Sequence, residues 1–374
     1  MIAADRPDRP AARLCAVDAE GRTRHLHRAA LATLLAPGDL VVANDAATLP
    51  ASLHGWHHDS EGPIELRLAG WVTPGDPTRF VAVAFGAGDH RIRTEDRPLP
   101  PPLSAGDPLA LGPLAAVVER MLDHPRLVQL RFLGSRDDVL AGLARHGKPI
   151  QYAHVPQPLA LWDVWTRIAA DPVAFEPPSA GFALDWALLA AWRKLGIGFA
   201  TLTHAAGISS TGDAVLDRRL PFDEPYRIPE RTAAAIARVK AAGHRIVAIG
   251  TTVVRALEAA AEADGSVRVG DGVATNRIGF GTRLRTVDAL LTGMHQPDES
   301  HFELLRAFAP DGVLDGLPAA LAAEGYRGHE FGDVMLLQRA TYPAGQVSIV
   351  STKRASQALV WAPSKARWSM VSET

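Results

Sequence analysis

The stretch "HRIVAIGTTVVRALEAA", residues 244–260, decides the fold. Its first half is a run of β-branched and apolar residues, 245–249, that reads as a buried strand. Gly250-Thr251-Thr252 then turns the chain, and an alanine-rich segment, 253–262, reads as a helix. A strand handed directly to a helix is the repeating unit of α/β folds. The turn also has chemical potential. The first N–H groups of a helix lack intrahelical partners and carry partial positive charge, which suits an anion or a carboxylate. Thr251 and Thr252 can cap the helix or bond a ligand, and Arg255 sits in the first turn, where a cation opposes the macrodipole. Glu258 lies within pairing reach three residues on. By itself the stretch fits either a capped helix with a surface ion pair or a ligand-holding turn.

The same texture extends on both sides. "PERTAAAIARVKAAG" (229–243) has proline in its first turn and glycine after its last, the chemistry of a helix start and stop. Further helices are expected at 185–196, 300–308 and 317–325, and strands at 198–204 and 333–338. "RLCAV" (13–17) reads as a strand, 28–35 as a short helix, and 36–45 as a turn followed by a buried strand ending in two polar residues. Between 52 and 133 the pattern changes to short runs such as "IELRLAGW" and "RFVAVAF" separated by Gly, Pro and Asp, which suggests a small antiparallel barrel or sandwich. Within it, 98–108 reads as a rigid extended connector, and 135–147 as a helix capped by Ser135 and Gly147. The expected architecture is therefore α/β: a mixed, largely parallel sheet with helices, built from 1–52 and 146–340, an inserted antiparallel β-barrel domain, 53–145, and a C-terminal extension, 341–374.

Composition narrows the function. The 374 residues, with 47% hydrophobic and 21% charged, leave ample material for a large core. A formal net charge of −2 gives no global field for nucleic acid or membrane, so any RNA contact must be a local patch. The single cysteine, Cys15, excludes an internal disulfide framework and a thiolate zinc site and fits a reducing cytoplasm. "MIAADRPDRPAARLCAV" has acids and prolines where a signal peptide has its apolar core, and no apolar run is long enough to span a membrane. There is no G-x-S-x-G elbow, no P-loop and no dinucleotide glycine fingerprint, which weighs against hydrolase, NTPase and dehydrogenase readings.

The polar residues that could carry chemistry lie in a few short segments. "PPSAG" (177–181) is a small-residue loop ahead of a helix, which fits either a turn or a backbone-donor site at Ser179, Ala180 and Gly181. "THAAGISS" (203–210) puts His204 at a strand end. "TVDALLTGMHQPDES" (286–300) gathers Asp288, Thr292, His295 and Ser300 around an expected helix entry. His295 and His301 are not at metal-ligand spacing, so no metal is expected.

In order, "PGDLVVANDAATLPASLHG", "PPSAGFAL", "TLTHAAG", "RVKAAGHRIVAIGTTVVRALEAA", "VDALLTGMHQPDES", "RAFAP" and "YRGHEFGDVML" resemble the blocks of the S-adenosylmethionine:tRNA ribosyltransferase-isomerase family of the queuosine pathway, over roughly residues 9–340. The resemblance implies an α/β domain with an inserted β-barrel. It also implies S-adenosylmethionine used as a ribosyl donor, as substrate, to a 7-deazaguanine base in tRNA, in the cytoplasm, with no metal, by a protein expected to be a monomer. The sulfonium acidifies the ribose C5′ protons, so the chemistry needs a base, and loss of adenine needs a proton donor. The titratable residues of the matched blocks, His204, Glu224, Asp288 and His295, are the candidates for these roles. Ser179, Ala180, Gly181, Gly250, Thr251, Thr252, Arg255, Thr292 and Asp333 are the candidates for binding, with Arg255 and the turn holding the donor carboxylate.

The chain also departs from the family pattern. N-D-T-R becomes Asn44-Asp45-Ala46-Ala47; P-T-A-G-L-H-F becomes 178–184, without its histidine; H-x-M-H-x-E becomes "RRLPFDE" (218–224), keeping only Glu224. T-N-F-H-L-P becomes 292–297, and the following Ser-Thr becomes Glu299-Ser300. Two further readings therefore stand beside the family reaction: a paralogue that binds an adenosyl compound but serves another acceptor, and a catalytically silent RNA- or ligand-binding protein. In the tail, Lys353, Arg354, Lys365 and Arg367 interleave with Trp361 and Trp368, a pattern that fits two edge strands or an RNA contact.

Overall fold

In the computed structural model, strand Ile246–Ile249 is fully buried, and Gly250 ends it with φ of 95°, a left-handed conformation that glycine adopts without a Cβ penalty. Helix Thr251–Ala260 begins on the next residue, two positions before the sequence pattern suggests. It buries Thr251, Val253, Val254, Arg255, Ala256, Leu257 and Ala260, so it is a core helix and not a surface one. The structure describes residues 1–5, 13–297 and 299–340; the edge strands or RNA contact expected in 341–374 lie outside the described residues.

The strand takes its place in a nine-stranded sheet of order Gly270–Ala274, Glu224–Ile228, Gly198–His204, Leu40–Asn44, Ile246–Ile249, Ala289–Gly293, Val334–Gln338, Arg13–Val17, Thr23–His27. The three central pairings, from Gly198–His204 across to Ala289–Gly293, are parallel, as is Val334–Gln338 with Arg13–Val17. The flanks are antiparallel. The sheet is thus mixed with a parallel centre, and its apolar residues separate into a core on each face.

A closed six-stranded antiparallel barrel interrupts this sheet in sequence, in the order Leu114–Met121, Leu127–Phe132, Arg79–Phe85, Gly62–Trp71, Ser52–His57, Pro108–Leu111. Its interior is filled by Leu53, Leu66, Phe80, Ala82, Val118, Leu130 and others, each essentially inaccessible to solvent. Residues 98–103 carry neither helix nor strand, in keeping with an extended connector. Helix Arg136–His146 follows, closed at its start by a capping box between Ser135 and Asp138. Gly147 caps its end in an extended conformation, φ −65°. A Cβ there would lie 2.3 Å from the Pro50 carbonyl oxygen, so close packing, not a left-handed backbone, requires the glycine.

Segment 28–35 is not a full helix but a five-residue 3-10 turn, Arg28–Ala32, because so short a segment closes too few hydrogen bonds to propagate. Its Leu31 carbonyl instead accepts from the buried Trp192 indole at 3.1 Å.

Candidate functional site

The parallel centre of the sheet sets the site. Where strand order reverses in sequence, loops leaving the carboxyl ends of neighbouring strands separate and leave a crevice. Here the loops after Gly198–His204, Ile246–Ile249 and Ala289–Gly293 border a cavity of about 1190 Å³. Ser179, Ala180, Gly250, Thr251, Thr252, Arg255, Thr292 and His295 all line it, although they come from three separate stretches of chain. The small-residue loop and the glycine turn touch: a Cβ placed on Gly250 would stand 3.5 Å from the Ala180 Cβ. Gly181 sits one step behind, packed so that a Cβ would meet the Thr166 methyl at 2.8 Å.

Gly250 offers no side-chain cap to the helix, and Thr251 and Thr252 are its first residues rather than its caps. The N–H groups of the first turn thus face the cavity end without intrahelical acceptors. Asn44, at the end of the central strand, fixes the neighbouring strand end: its amide donates to the His204 carbonyl at 2.9 Å and accepts from the His204 N–H at 2.9 Å. It also stands 3.5 Å from the Thr252 hydroxyl. Asn44 was not among the sequence candidates; its position as the first of the two polar residues ending a buried strand was the available signal.

Thr292, His295 and Glu299 form a line. The Thr292 hydroxyl is 2.8 Å from His295 Nε2, and His295 Nδ1 is 3.1 Å from a Glu299 carboxylate oxygen. A carboxylate on Nδ1 selects the Nδ1–H tautomer and leaves Nε2 to accept from the hydroxyl. Burial alone would raise the Glu299 carboxyl, but the hydrogen bond to His295 and the nearby His295, His301 and His329 together hold it below the usual range.

Other candidates are placed differently. Arg255 does not pair with Glu258. It is 5% exposed, donates to Glu224 and to the carbonyls of Ala274 (2.9 Å), Phe222 (3.2 Å) and Asn276 (3.4 Å), and burial lowers its guanidinium to about 10. Glu258 instead accepts from the backbone N–H groups of Arg285, Thr286 and Val287. Glu224, besides Arg255, accepts from the Gly207 N–H at 2.6 Å and so anchors the loop after His204. His204 is fully buried and does not line the cavity. Its Nε2 is 3.4 Å from Glu224, without hydrogen-bond geometry, and burial, with Arg255 nearby, drops its pKa to about 3. Asp288 lies at the amino end of its strand, accepting from the Ile246 N–H (3.0 Å) and Arg339 (2.8 Å). At about 3.3 Å per residue the length of a strand separates it from Thr292. Asp333 accepts from the backbone of Arg13 (2.7 Å) and Arg327 (2.8 Å), which ties loop 327–333 to the first strand of the sheet.

The cavity contains groups the sequence did not single out. Glu176 takes hydrogen bonds from the Tyr152 hydroxyl and from the Ser209 N–H at 3.1 Å, and burial pushes its carboxyl up to about 7 despite them. A lone acid in the apolar run "VAFEPPSAG" was the only hint. His301 joins His295 and Glu299, with potential ligand atoms within 4.8 Å of one another, contrary to the expectation from spacing; the rings stack at 5.0 Å. Burial, with His295 beside it, lowers the His301 pKa to about 4. Phe280, 75% exposed, stands at the cavity with Arg218 and Arg277.

A two-part α/β-and-barrel fold with a large cavity at the carboxyl ends of parallel strands defines a ligand-binding protein of the enzyme type. The chain belongs to the queuosine biosynthesis protein family, whose model matches residues 2–337. It is 35% identical over 350 residues to an S-adenosylmethionine:tRNA ribosyltransferase-isomerase from Thiobacillus denitrificans, covering 91% of this chain and 95% of that protein. A protein of the same name from Ralstonia nicotianae is 33% identical over 341 residues, 89% of this chain and 90% of its own. A crystal structure of S-adenosylmethionine tRNA ribosyltransferase from Thermotoga maritima aligns with a TM-score of 0.47 and 22% identity, covering 90% of this chain and 96% of that one. No helix among the described residues is long and apolar enough to cross a membrane.

Proposed function

We propose that the protein transfers and isomerises the ribosyl group of S-adenosylmethionine onto a 7-deazaguanine base in tRNA, acting as a single chain in the cytoplasm. One observation carries the reading: three family-matched segments, 179–180, 250–252 and 292–295, meet at one cavity. Small-molecule clefts run to about 300–1000 Å³, so about 1190 Å³ accommodates the donor together with an incoming base. The first-turn N–H groups of helix Thr251–Ala260 receive the donor carboxylate. Arg255 acts behind them, holding Glu224 and the cavity wall, since its guanidinium is already engaged by protein acceptors. Among the sequence candidates for acid and base, Glu224 and His295 line the cavity; Glu224 is held by Arg255, whereas His295 has a nitrogen that can take a proton through the Thr292 hydroxyl. Glu176, with its pKa near neutrality, is a second proton-transfer group.

A paralogue using another acceptor is the second reading. Ala46 and Ala47, where the family carries Thr-Arg, are buried against strand Asp171–Ala174, so no side chain there reaches a substrate. The test incubates protein, S-adenosylmethionine and tRNA carrying the deazaguanine base, and follows adenine and methionine release with ribosyl incorporation. Incorporation into the tRNA establishes the family reaction. Donor binding without release, at any tRNA concentration, refutes it and leaves the paralogue.

A further inference from the structure

Beyond the proton-transfer groups, the cavity wall gathers a second set of residues to which the proposed function gives no role. His154 comes from the segment after the barrel, and His329 and Glu330 from loop 327–333. All three line the cavity, and their potential ligand atoms lie within 4.8 Å of one another. His154 Nε2 is 2.8 Å from a Glu330 carboxylate oxygen, and the His154 and His329 rings stack with centroids 4.3 Å apart. Two ligands bound to one tetrahedral zinc at about 2.0–2.2 Å stand roughly 3.3–3.6 Å apart, so small side-chain movements close this set around an ion.

We propose that His154, His329 and Glu330 form a binding site for a divalent transition-metal ion, zinc in the first place, with its open coordination position facing the cavity. Two imidazoles and one carboxylate are a borderline-soft N/O donor set that suits zinc and its first-row neighbours and disfavours magnesium or calcium, which take all-oxygen shells. Three protein ligands leave the fourth position to water or to an oxygen of a bound ligand.

Three features favour this group over the neighbouring His295, Glu299 and His301. The His329 ring makes no hydrogen bond and only stacks on His154, whereas both ring nitrogens of His295 are already engaged by Thr292 and Glu299. His329 is held at φ 65°, one of two non-glycine residues with positive φ among the described residues. Such strain concentrates where a side chain must be aimed. Finally, the loop carrying two of the ligands is pinned: Asp333 accepts from the Arg327 N–H at 2.8 Å, and the His329 carbonyl accepts from the Gly332 N–H at 2.8 Å. A loop so ordered in advance loses little freedom when an ion binds.

The experiment uses the full chain freed of any affinity tag, stripped with chelator and titrated with Zn²⁺ by calorimetry, and with Co²⁺ by visible absorption. The expected result is one tight ion per chain, with cobalt d–d bands and no thiolate charge-transfer band. His329→Gln and Glu330→Gln should each weaken it by more than the roughly 10–100-fold typical of losing an outer partner. His295→Asn should leave it in place. Circular dichroism of each variant separates loss of the site from loss of the fold, and His154→Gln supplies a third ligand variant. No stoichiometric binding overturns the proposal. So does binding that survives in folded His329→Gln and Glu330→Gln, or that vanishes only when His295 or His301 is replaced.

Discussion

Arg255 and Glu224 form a buried ion pair that joins the second turn of helix Thr251–Ala260 to the edge region of the sheet. Both side chains are less than a tenth exposed, and the remaining guanidinium donors reach backbone carbonyls. Removing one partner strands the other in a poorly solvated place, which typically costs about 3–5 kcal/mol. Arg255→Ala is therefore expected to destabilise the protein by that order, against about 0.2–0.5 kcal/mol for an exposed helical pair. Urea unfolding of Arg255→Ala, Glu224→Gln and the double variant measures it, and the double variant should recover part of the loss. Stability within half a kcal/mol of the parent in Arg255→Ala contradicts the buried-pair account.

Glu176 gives stability a pH dependence of known sign. Its carboxyl is raised to about 7 in the folded protein from an ordinary value of 4.5 because burial disfavours the charge. The folded state thus holds the proton more tightly than the unfolded chain. That contribution is fully present below about pH 4.5 and is lost as pH rises through about 7, up to about 3 kcal/mol in all. Glu176→Gln should flatten the slope between pH 5 and 8 and make the protein more stable than the parent at pH 8. Denaturant titrations at both pH values decide it, and equal slopes in parent and variant would contradict the assignment.

Glu65 acts in the opposite direction in a lower window. Burial alone would raise its carboxyl, but Arg67 and Arg97 hold it at about 2 on the covered outer face of barrel strand Gly62–Trp71. A depressed carboxyl contributes stability above its unfolded value, near 4.5, which is lost as pH falls toward 2. Acid unfolding of the parent should begin below about pH 4.5. In Glu65→Gln that acid-dependent loss should be smaller, although the variant starts less stable because two arginines lose their counter-charge. An acid profile with the same shape in both proteins would exclude Glu65 as a contributor.

How much of this was legible in the sequence follows from the physics of each segment. The strand–turn–helix at 245–260 was readable because apolar run, glycine and helix formers change abruptly at one place. The barrel was readable from regular spacing of short strands and turns. Strands Glu224–Ile228 and Gly270–Ala274 were not, because Pro225, Gly270 and Gly272 read as turn residues, and only a place at the sheet flank tolerates them. Strand Ala289–Gly293 was absorbed into an expected helix entry, since a short apolar run has no decisive period. What the sequence made legible is that the backbone segments at Gly250 and Ala180 would come together at one cavity. Linear sequence does not show that the charges of Arg255 and Asp333, candidates for binding, and of Asp288, a candidate acid or base, meet protein partners.

Phe280 is expected to carry part of any nucleic-acid affinity. It is 75% exposed at the cavity, whose wall also carries Arg218, a cation that can meet a phosphate while the ring stacks on a base; Arg277, also on the wall, donates to the Arg218 and Arg219 carbonyls. Phe280→Ala should weaken tRNA binding by about 1–3 kcal/mol while leaving the melting temperature nearly unchanged, because the ring is not packed in a core. Filter binding or anisotropy at fixed salt reads the affinity. Unchanged affinity would remove the ring from the tRNA-binding surface.

S-adenosylmethionine is expected to stabilise the protein, and the turn at Gly250 is where the effect can be cut. A ligand that binds only the folded state at about 100 times its dissociation constant adds roughly 2.7 kcal/mol. Gly250 holds φ of 95°, and a side chain there is strained whatever the space. A Cβ would meet Ala180 and the Thr252 hydroxyl at 3.5 Å, ordinary contact distance, so Gly250→Ala should fold, at a backbone cost of about 1–3 kcal/mol, because φ 95° with ψ 152° is a region that is essentially glycine's alone. The same substitution tilts the first-turn N–H groups and crowds the Ala180 loop, so the ligand-induced rise in melting temperature should shrink more than the loss of stability explains. Thermal melts of both proteins, with and without ligand over a concentration series, separate the two effects. Parallel shifts in parent and variant would place the donor away from this turn, and no shift in the parent at millimolar ligand would remove S-adenosylmethionine from the cavity altogether.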